Sequence, residues 1–243
     1  MSILKVENLS KHFGGLTAVD DLCFELKEGE ILGLIGPNGA GKTTVFNCLT
    51  GFLPLDQGEV YLENRSIKNR KPYEISRLGL VRTFQIVRPF LNISVLENVL
   101  VGSMLREPSL KKAREASRNI LQFVGLGKYM QAPAGSLALP LRKRLELAKT
   151  LATQPKVLLL DEVMGGLIPA EVDEIIRLLR EIHKQGMSIL LIEHVMRGVM
   201  AVSQRVLVIN YGRKIAEGLP QEVVANPEVI EAYLGKEFLS AQG

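Results

Sequence analysis

Residues 36–44 read Gly36, Pro37, Asn38, Gly39, Ala40, Gly41, Lys42, Thr43 and Thr44, and no other stretch restricts the fold as tightly. The spacing from Gly36 to Thr43 is G-x-x-x-x-G-K-T, a glycine loop that wraps a phosphate in backbone N–H groups. Glycine is needed where the chain turns with positive φ and where a Cβ would block the phosphate oxygens. Lys42 adds a point charge, Thr43 offers a hydroxyl to Mg²⁺, and residues 43–49 read as a helix whose N-terminus faces the anion. Residues 30–35 ahead of the loop form an apolar run of strand length, so the order is strand, loop, helix. A glycine-rich turn that binds nothing is the competing reading, and this context weighs against it.

With 243 residues and 47% apolar side chains, the chain can fill one large core, or a core and a subdomain. No apolar run reaches the roughly 18 residues that a membrane span needs. The first residues lack the charged-then-apolar layout of a secretory leader, so a cytosolic chain is expected. Cys23 and Cys48 are expected to be reduced and buried, with no second pair for a metal site or a disulfide framework. The net charge of +4 is uneven, because residues 77–150 hold 13 Lys and Arg against 4 Asp and Glu.

Partly alternating apolar positions at 3–9 and 18–26 predict an antiparallel sheet ahead of the loop, with a turn at 11–15. Residues 58–64 read as another short strand, and 73–79 as a brief helix leading to 81–85. Ser109 is the expected cap of a helix with Leu110, Ala113, Ser117, Ile120, Leu121 and Val124 on one face, ended by Gly125. A strongly basic helix starts near Pro140, since proline suits a first helical turn. Residues 157–160, 188–192 and 205–209 read as buried strands, apolar throughout except for Ser188 and Arg205 at their starts. Between the first two of these runs, residues 169–185 form an amphipathic helix with Val172, Ile175, Ile176, Leu179 and Ile182 inward. Strands alternating with helices imply an α/β fold with a doubly covered parallel sheet and a helical insertion at 87–150.

Asp161 and Glu162 follow the 157–160 strand directly, at the sheet edge where open parallel sheets bind ligands. The glycine loop lies on the same edge. Asp161 is thereby a candidate to hold Mg²⁺ or its waters, and Glu162 to orient and deprotonate an attacking water. His194 ends the 188–192 strand on that edge, within reach of a γ-phosphate or the water. Gln85 is a candidate to reach the metal or the water through its amide, and Phe13 to stack on a base. A surface glutamine, an exposed histidine and a packing phenylalanine are the plainer readings of each residue alone.

These positions, in this order, resemble the nucleotide-binding subunit of ABC transporters. The resemblance spans residues 3–236. It sets residues 36–44 as the phosphate loop, Gln85 as the Q-loop glutamine, and 157–161 as the Walker B strand. Glu162 then corresponds to the catalytic glutamate, His194 to the switch histidine and Phe13 to the adenine-stacking aromatic. It implies an α/β P-loop NTPase fold with a RecA-like parallel sheet core and an N-terminal antiparallel β subdomain. The chain, 1–243, would be a single cassette with a helical subdomain at 87–150. More narrowly, the wording of 13–19, 39–52, 81–85, 192–196 and 226–235 looks like the ATPase subunits of branched-chain amino acid importers, in a family that also carries urea and short amides.

The resemblance implies ATP and Mg²⁺ as cofactors and hydrolysis of ATP coupled to import. It also implies a peripheral position on the cytoplasmic side of the inner membrane. The partners would be integral membrane subunits, a second ATPase subunit and, indirectly, a solute-binding protein, with no nucleic acid. Two other readings stay open: a soluble ABC ATPase acting on a nucleoprotein complex, and a regulatory subunit that binds ATP with little hydrolysis. The basic middle of the chain is expected to be a solvated helix face; docking near anionic lipid headgroups is the alternative.

One segment departs from the family. The signature Leu-Ser-Gly-Gly-Gln falls on Leu137, Ala138, Leu139, Pro140 and Leu141, without serine, glycine or glutamine. Ala138 has no hydroxyl, Pro140 has no N–H and Leu139 adds a side chain where close approach is needed. A helix N-terminus followed by Arg142, Lys143 and Arg144 survives, and is expected to keep its attraction for phosphate. Val163 and Met164 replace the usual residues after Glu162, and Ile168 stands where Asp or Asn is usual. Pairing with a different ATPase subunit is therefore favoured over a homodimer.

Overall fold

The computed structural model describes residues 1–234. β1 (Ser2–Phe13) and β2 (Leu16–Lys27) form a long antiparallel hairpin. The chain reverses at Gly14 and Gly15 alone, which shortens the expected turn. Lys11 and His12 stay in β1 because the Asp56 carboxylate accepts from Lys11 Nζ at 2.8 Å and from the His12 N–H at 2.6 Å. β3 (Ile31–Ile35), wholly buried, runs into the glycine loop and α1 (Lys42–Leu49). β4 (Gln57–Leu62) and β5 (Arg65–Ser66) complete a four-stranded antiparallel sheet of order β2-β1-β4-β5.

α2 (Pro72–Leu78) leads to β6 (Leu80–Arg82), and three helices follow: α3 (Val95–Ser103), α4 (Leu110–Phe123) and α5 (Leu139–Ala152). α3 was not among the expected elements, although Ser94 and Glu97 close a reciprocal capping box at its start. On α4, Ala113, Ser117 and Leu121 face inward as expected, but Leu110 is exposed and Ser109 makes no side-chain cap. Leu110 is the first residue of α4, and its place on the apolar stripe does not bury it.

β7 (Val157–Asp161), α6 (Pro169–Lys184), β8 (Ser188–Ile192), α7 (Met196–Val202), β9 (Arg205–Asn210) and β10 (Arg213–Gly218) then alternate, closed by α8 (Pro220–Val224) and α9 (Pro227–Leu234). Gly235, the last residue of the 226–235 wording, lies outside the described residues. The second sheet has the order β10-β9-β3-β8-β7-β6, parallel throughout except for β10. β3, β7 and β8 are buried along their whole length, which is why they read as unbroken apolar runs.

Two large cores lie on this sheet, and a smaller cluster joins Ile35, Val206 and Val208 to Val199, Val223 and Val229. One lies between the sheets and holds α1 through Val45, Phe46 and Leu49 against Leu32, Leu34 and Leu159. The other packs α6 and the helical insertion on the opposite face, with Leu121 and Leu145 in one cluster with Leu158 and Leu160. The insertion is thus continuous with the core of the sheet. Among the described residues no helix is long and apolar enough to cross a membrane.

Candidate functional site

Three strands of the parallel sheet, β3, β7 and β8, release their chains at one edge, and the sequence-selected residues gather there. At Gly36 a Cβ would stand 2.1 Å from the Ile209 carbonyl of β9, and at Gly41, with φ +104°, 2.4 Å from the Ala18 carbonyl of β2. Both glycines are therefore demanded by neighbouring backbone as well as by any phosphate. α1 starts at Gly41 without a side-chain cap, leaving first-turn N–H groups open to an anion. Lys42 Nζ donates to the carbonyls of Gly36 (2.7 Å) and Pro37 (2.9 Å), folding over the loop. Burial lowers the Lys42 pKa, while the Glu162 and Asp161 carboxylates act the other way.

A cavity of about 340 Å³ is lined by Phe13, residues 39–44, Glu162 and His194, and also by Leu16, Thr17, Ala18 and Tyr211. Phe13 is half exposed, with Lys11 Nζ 5.6 Å from its ring centroid. Tyr211 escaped the sequence reading because nothing in its local pattern marks a binding residue.

Glu162 is the hub. Its Oε2 accepts from Gln85 Nε2 at 2.6 Å and its Oε1 lies 2.6 Å from His194 Nε2. Two side chains far apart in sequence thus meet on one carboxylate. The residue sits at φ +51°, a left-handed conformation that costs a non-glycine residue about 1–3 kcal/mol. Its N–H donates to the Ile192 carbonyl at 2.9 Å, and its own carbonyl accepts from Lys143 Nζ at 2.8 Å. Beside it, Glu193 is buried; Oε1 accepts from the Met164 N–H at 2.6 Å, and Oε2 has no hydrogen-bond partner. Burial pushes the Glu193 carboxyl up to about 7. Burial likewise lowers the Lys143 pKa.

Thr43, Gln85 and Asp161, the three expected metal-holding residues, line a second cavity of about 640 Å³ together with Arg82, Phe84 and Ile86. A hydroxyl, an amide oxygen and a carboxylate are hard oxygen donors of the kind Mg²⁺ takes, few in number because phosphate and water supply the rest. The set fits with one qualification from the structure. Asp161 Oδ2 already pairs with Arg82 Nη2 at 2.6 Å, both side chains being buried. Arg82 is held in turn by Asn47 Oδ1 at 2.6 Å and by the rings of Phe46 and Phe84, 5.5 and 5.1 Å away. The sequence reading passed over this arginine, although it stands three residues before Gln85.

The altered signature opens α5. Ala138 is the N-cap and provides no side-chain bond, Pro140 lies in the first turn and Leu139 is exposed. The expectation that Arg142, Lys143 and Arg144 remain available to phosphate does not hold, because all three turn inward. Arg142 binds the carbonyls of Leu137 and Gly135, each at 2.7 Å; Lys143 binds the Glu162 carbonyl; Arg144 pairs with Glu174 and reaches the Val124 carbonyl. Backbone carbonyls left at chain turns take the donors first. Lys111, Lys112, Arg114 and Arg118, by contrast, line the exposed face of α4. Leu139 also meets the segment carrying Ile168: its Cδ2 is 3.6 Å from where a Cβ would stand at Gly166, and Ile168 is exposed.

Residues 19–165 match the ABC transporter family, and residues 213–238 match the branched-chain amino acid ATP-binding cassette transporter family. Among curated proteins, the chain is 42% identical to the high-affinity branched-chain amino acid transport ATP-binding protein LivG of Salmonella typhimurium, over 96% of this chain and 98% of that protein. It is 39% identical to the corresponding protein BraF of Pseudomonas aeruginosa over the same shares. A crystal structure of a nucleotide-free ATP-binding cassette from an ABC transporter superposes with a TM-score of 0.88 at 34% identity, covering 97% of this chain and 100% of that one. An ADP conformation of such a cassette gives the same values. The loop, the sheet edge and these likenesses agree, and the chain belongs to the ABC transporter family as an ATP-binding subunit most like those for branched-chain amino acids.

Proposed function

We propose that this chain binds and hydrolyses ATP to energise import of branched-chain amino acids or related small polar solutes, from a peripheral position on the cytoplasmic face of the inner membrane. One observation carries the hydrolytic reading: Gln85 and His194 hold the Glu162 carboxylate from both sides, beside the cavity under the glycine loop. The names of the relatives support the transport reading and its substrate class.

In this reading Gly36, Pro37, Asn38, Gly39, Ala40, Gly41, Lys42, Thr43 and Thr44 bind the phosphates, and Phe13 stacks on the adenine. Glu162 orients the attacking water and takes its proton, while His194 and Gln85 fix the carboxylate and contact the transferring group. Thr43, Asp161 and Gln85 would hold Mg²⁺, which neutralises charge on the phosphates when bound. Residues 1–243 act as one cassette, with residues 87–150 as its helical subdomain.

A second ATPase subunit completes the site, and a heterodimer is favoured because this chain's own signature, residues 137–141, lacks the hydroxyl and glycines that would close over the partner's nucleotide. Integral membrane subunits take up the motion, and a solute-binding protein delivers the cargo to them. No role is assigned to nucleic acid. A purely regulatory ATP binder is separated from this reading by Glu162→Gln. The variant should trap ATP and release phosphate at least about a hundredfold more slowly than the wild type. Equal trapping by both, with no phosphate from either, would overturn the enzyme reading.

A further inference from the structure

Behind the catalytic carboxylate lies a second layer that none of the motifs predicts. The backbone of residues 162–164 is gripped from two elements. From α5, the buried Lys143 donates to the Glu162 carbonyl at 2.8 Å. From the chain just past β8, the buried Glu193 accepts the Met164 N–H at 2.6 Å. Both side chains are buried, and although Glu193 Oε2 has no hydrogen-bond partner, the bonds of Lys143 Nζ and Glu193 Oε1 both go to one short stretch of main chain. That stretch needs holding, because Glu162 departs from β7 with φ +51° and has its own N–H on Ile192 of β8. If the segment relaxed toward ordinary backbone angles, the carboxylate would rotate away from Gln85 and His194.

We propose that Lys143 and Glu193 are positioning residues for hydrolysis, a two-sided clamp on residues 162–164 that keeps the Glu162 carboxylate between Gln85 and His194. The clamp rests on the hydrolytic reading given above. It also links α5, whose first turn carries the altered signature, and the switch-histidine segment to the reacting carboxylate within one chain. Neither residue lines the cavity under the glycine loop, so the clamp's loss should appear in turnover and leave binding alone.

The test measures kcat, KM and fluorescent-nucleotide affinity for the full chain assembled with its partner subunits, together with the melting temperature of each variant. Lys143→Met and Glu193→Leu should each lower kcat at least about tenfold, with ATP affinity within about twofold of wild type. Lys143→Arg, which keeps a donor, should restore at least half of the loss on a logarithmic scale. The double variant should be no slower than the slower single one, because both act on the same segment. Wild-type kcat in Lys143→Met overturns the clamp, and so does a loss shared equally by kcat, affinity and melting temperature that arginine fails to rescue. A wild-type assembly that binds ATP and releases no phosphate overturns the hydrolytic reading instead, and the clamp with it.

Discussion

Arg82 and Asp161 form an ion pair that neither side chain can leave without exposing the other, since both are buried and 2.6 Å apart. Replacing Arg82 with Met should therefore destabilise the fold by about 3–5 kcal/mol, because an uncompensated carboxylate would remain in the interior. Urea unfolding checks this, and the accompanying change Asp161→Asn should recover much of the loss. Glu193 gives the opposite kind of residue-scale prediction. Its carboxyl titrates near 7 when folded, above the ordinary 4.5, so the folded chain binds more protons than the unfolded one between those pH values. Stability contributed by this group is full below about pH 4.5, falls as pH rises through 7 and is level beyond, a difference on the order of 3 kcal/mol. Glu193→Gln keeps an acceptor for the Met164 N–H and removes the titration. Its stability relative to wild type should rise between pH 5 and pH 8; a constant difference across that range would refute the assignment.

Among the elements, β3, β7, β8 and β9 were legible because strands covered on both faces are apolar along their middle, and α6 because only one face of it is. The site edge followed from the same reasoning, since Asp161, Glu162 and His194 are fixed by where their strands end. What the sequence could not reveal is competition for partners. Arg142, Lys143 and Arg144 look like an anion site in one dimension, yet carbonyls of residues 124, 135, 137 and 162 and the Glu174 carboxylate claim them in three. α3 is a different case, because its Ser94 and Glu97 box is a readable start signal that the sequence reading passed over. At α5 the consequence is testable. With its cations turned inward, the helix start has only its N–H groups to offer, and Pro140 removes one of them. The combined change Ala138→Ser, Leu139→Gly and Pro140→Gly should raise turnover of the reconstituted transporter by about tenfold or more. Unchanged turnover would count against the idea that this segment limits the opposite site.

For the whole molecule, the proposal of an unlike second ATPase subunit rests on the same altered signature. A homodimer would place residues 137–141 over both glycine loops, so both sites would lack the closing hydroxyl and the close backbone approach. A heterodimer with an intact signature on its partner leaves one complete site, built on this chain's Gly36–Thr44 loop with Glu162, and one impaired site on the partner's loop. The two loops then carry unequal weight. Lys42→Ala in this chain should reduce turnover of the assembled transporter at least about a hundredfold, as loss of a principal charge-stabilising group does. The equivalent lysine change in the partner should reduce it less than about tenfold if, as proposed, that site contributes little hydrolysis. Measuring both variants in the same lipid vesicles, with ATP affinity recorded for each, separates lost chemistry from lost binding. Equal losses from the two changes would mean that the sites are equivalent, and the case for an unlike partner built on Ala138, Leu139 and Pro140 would fail.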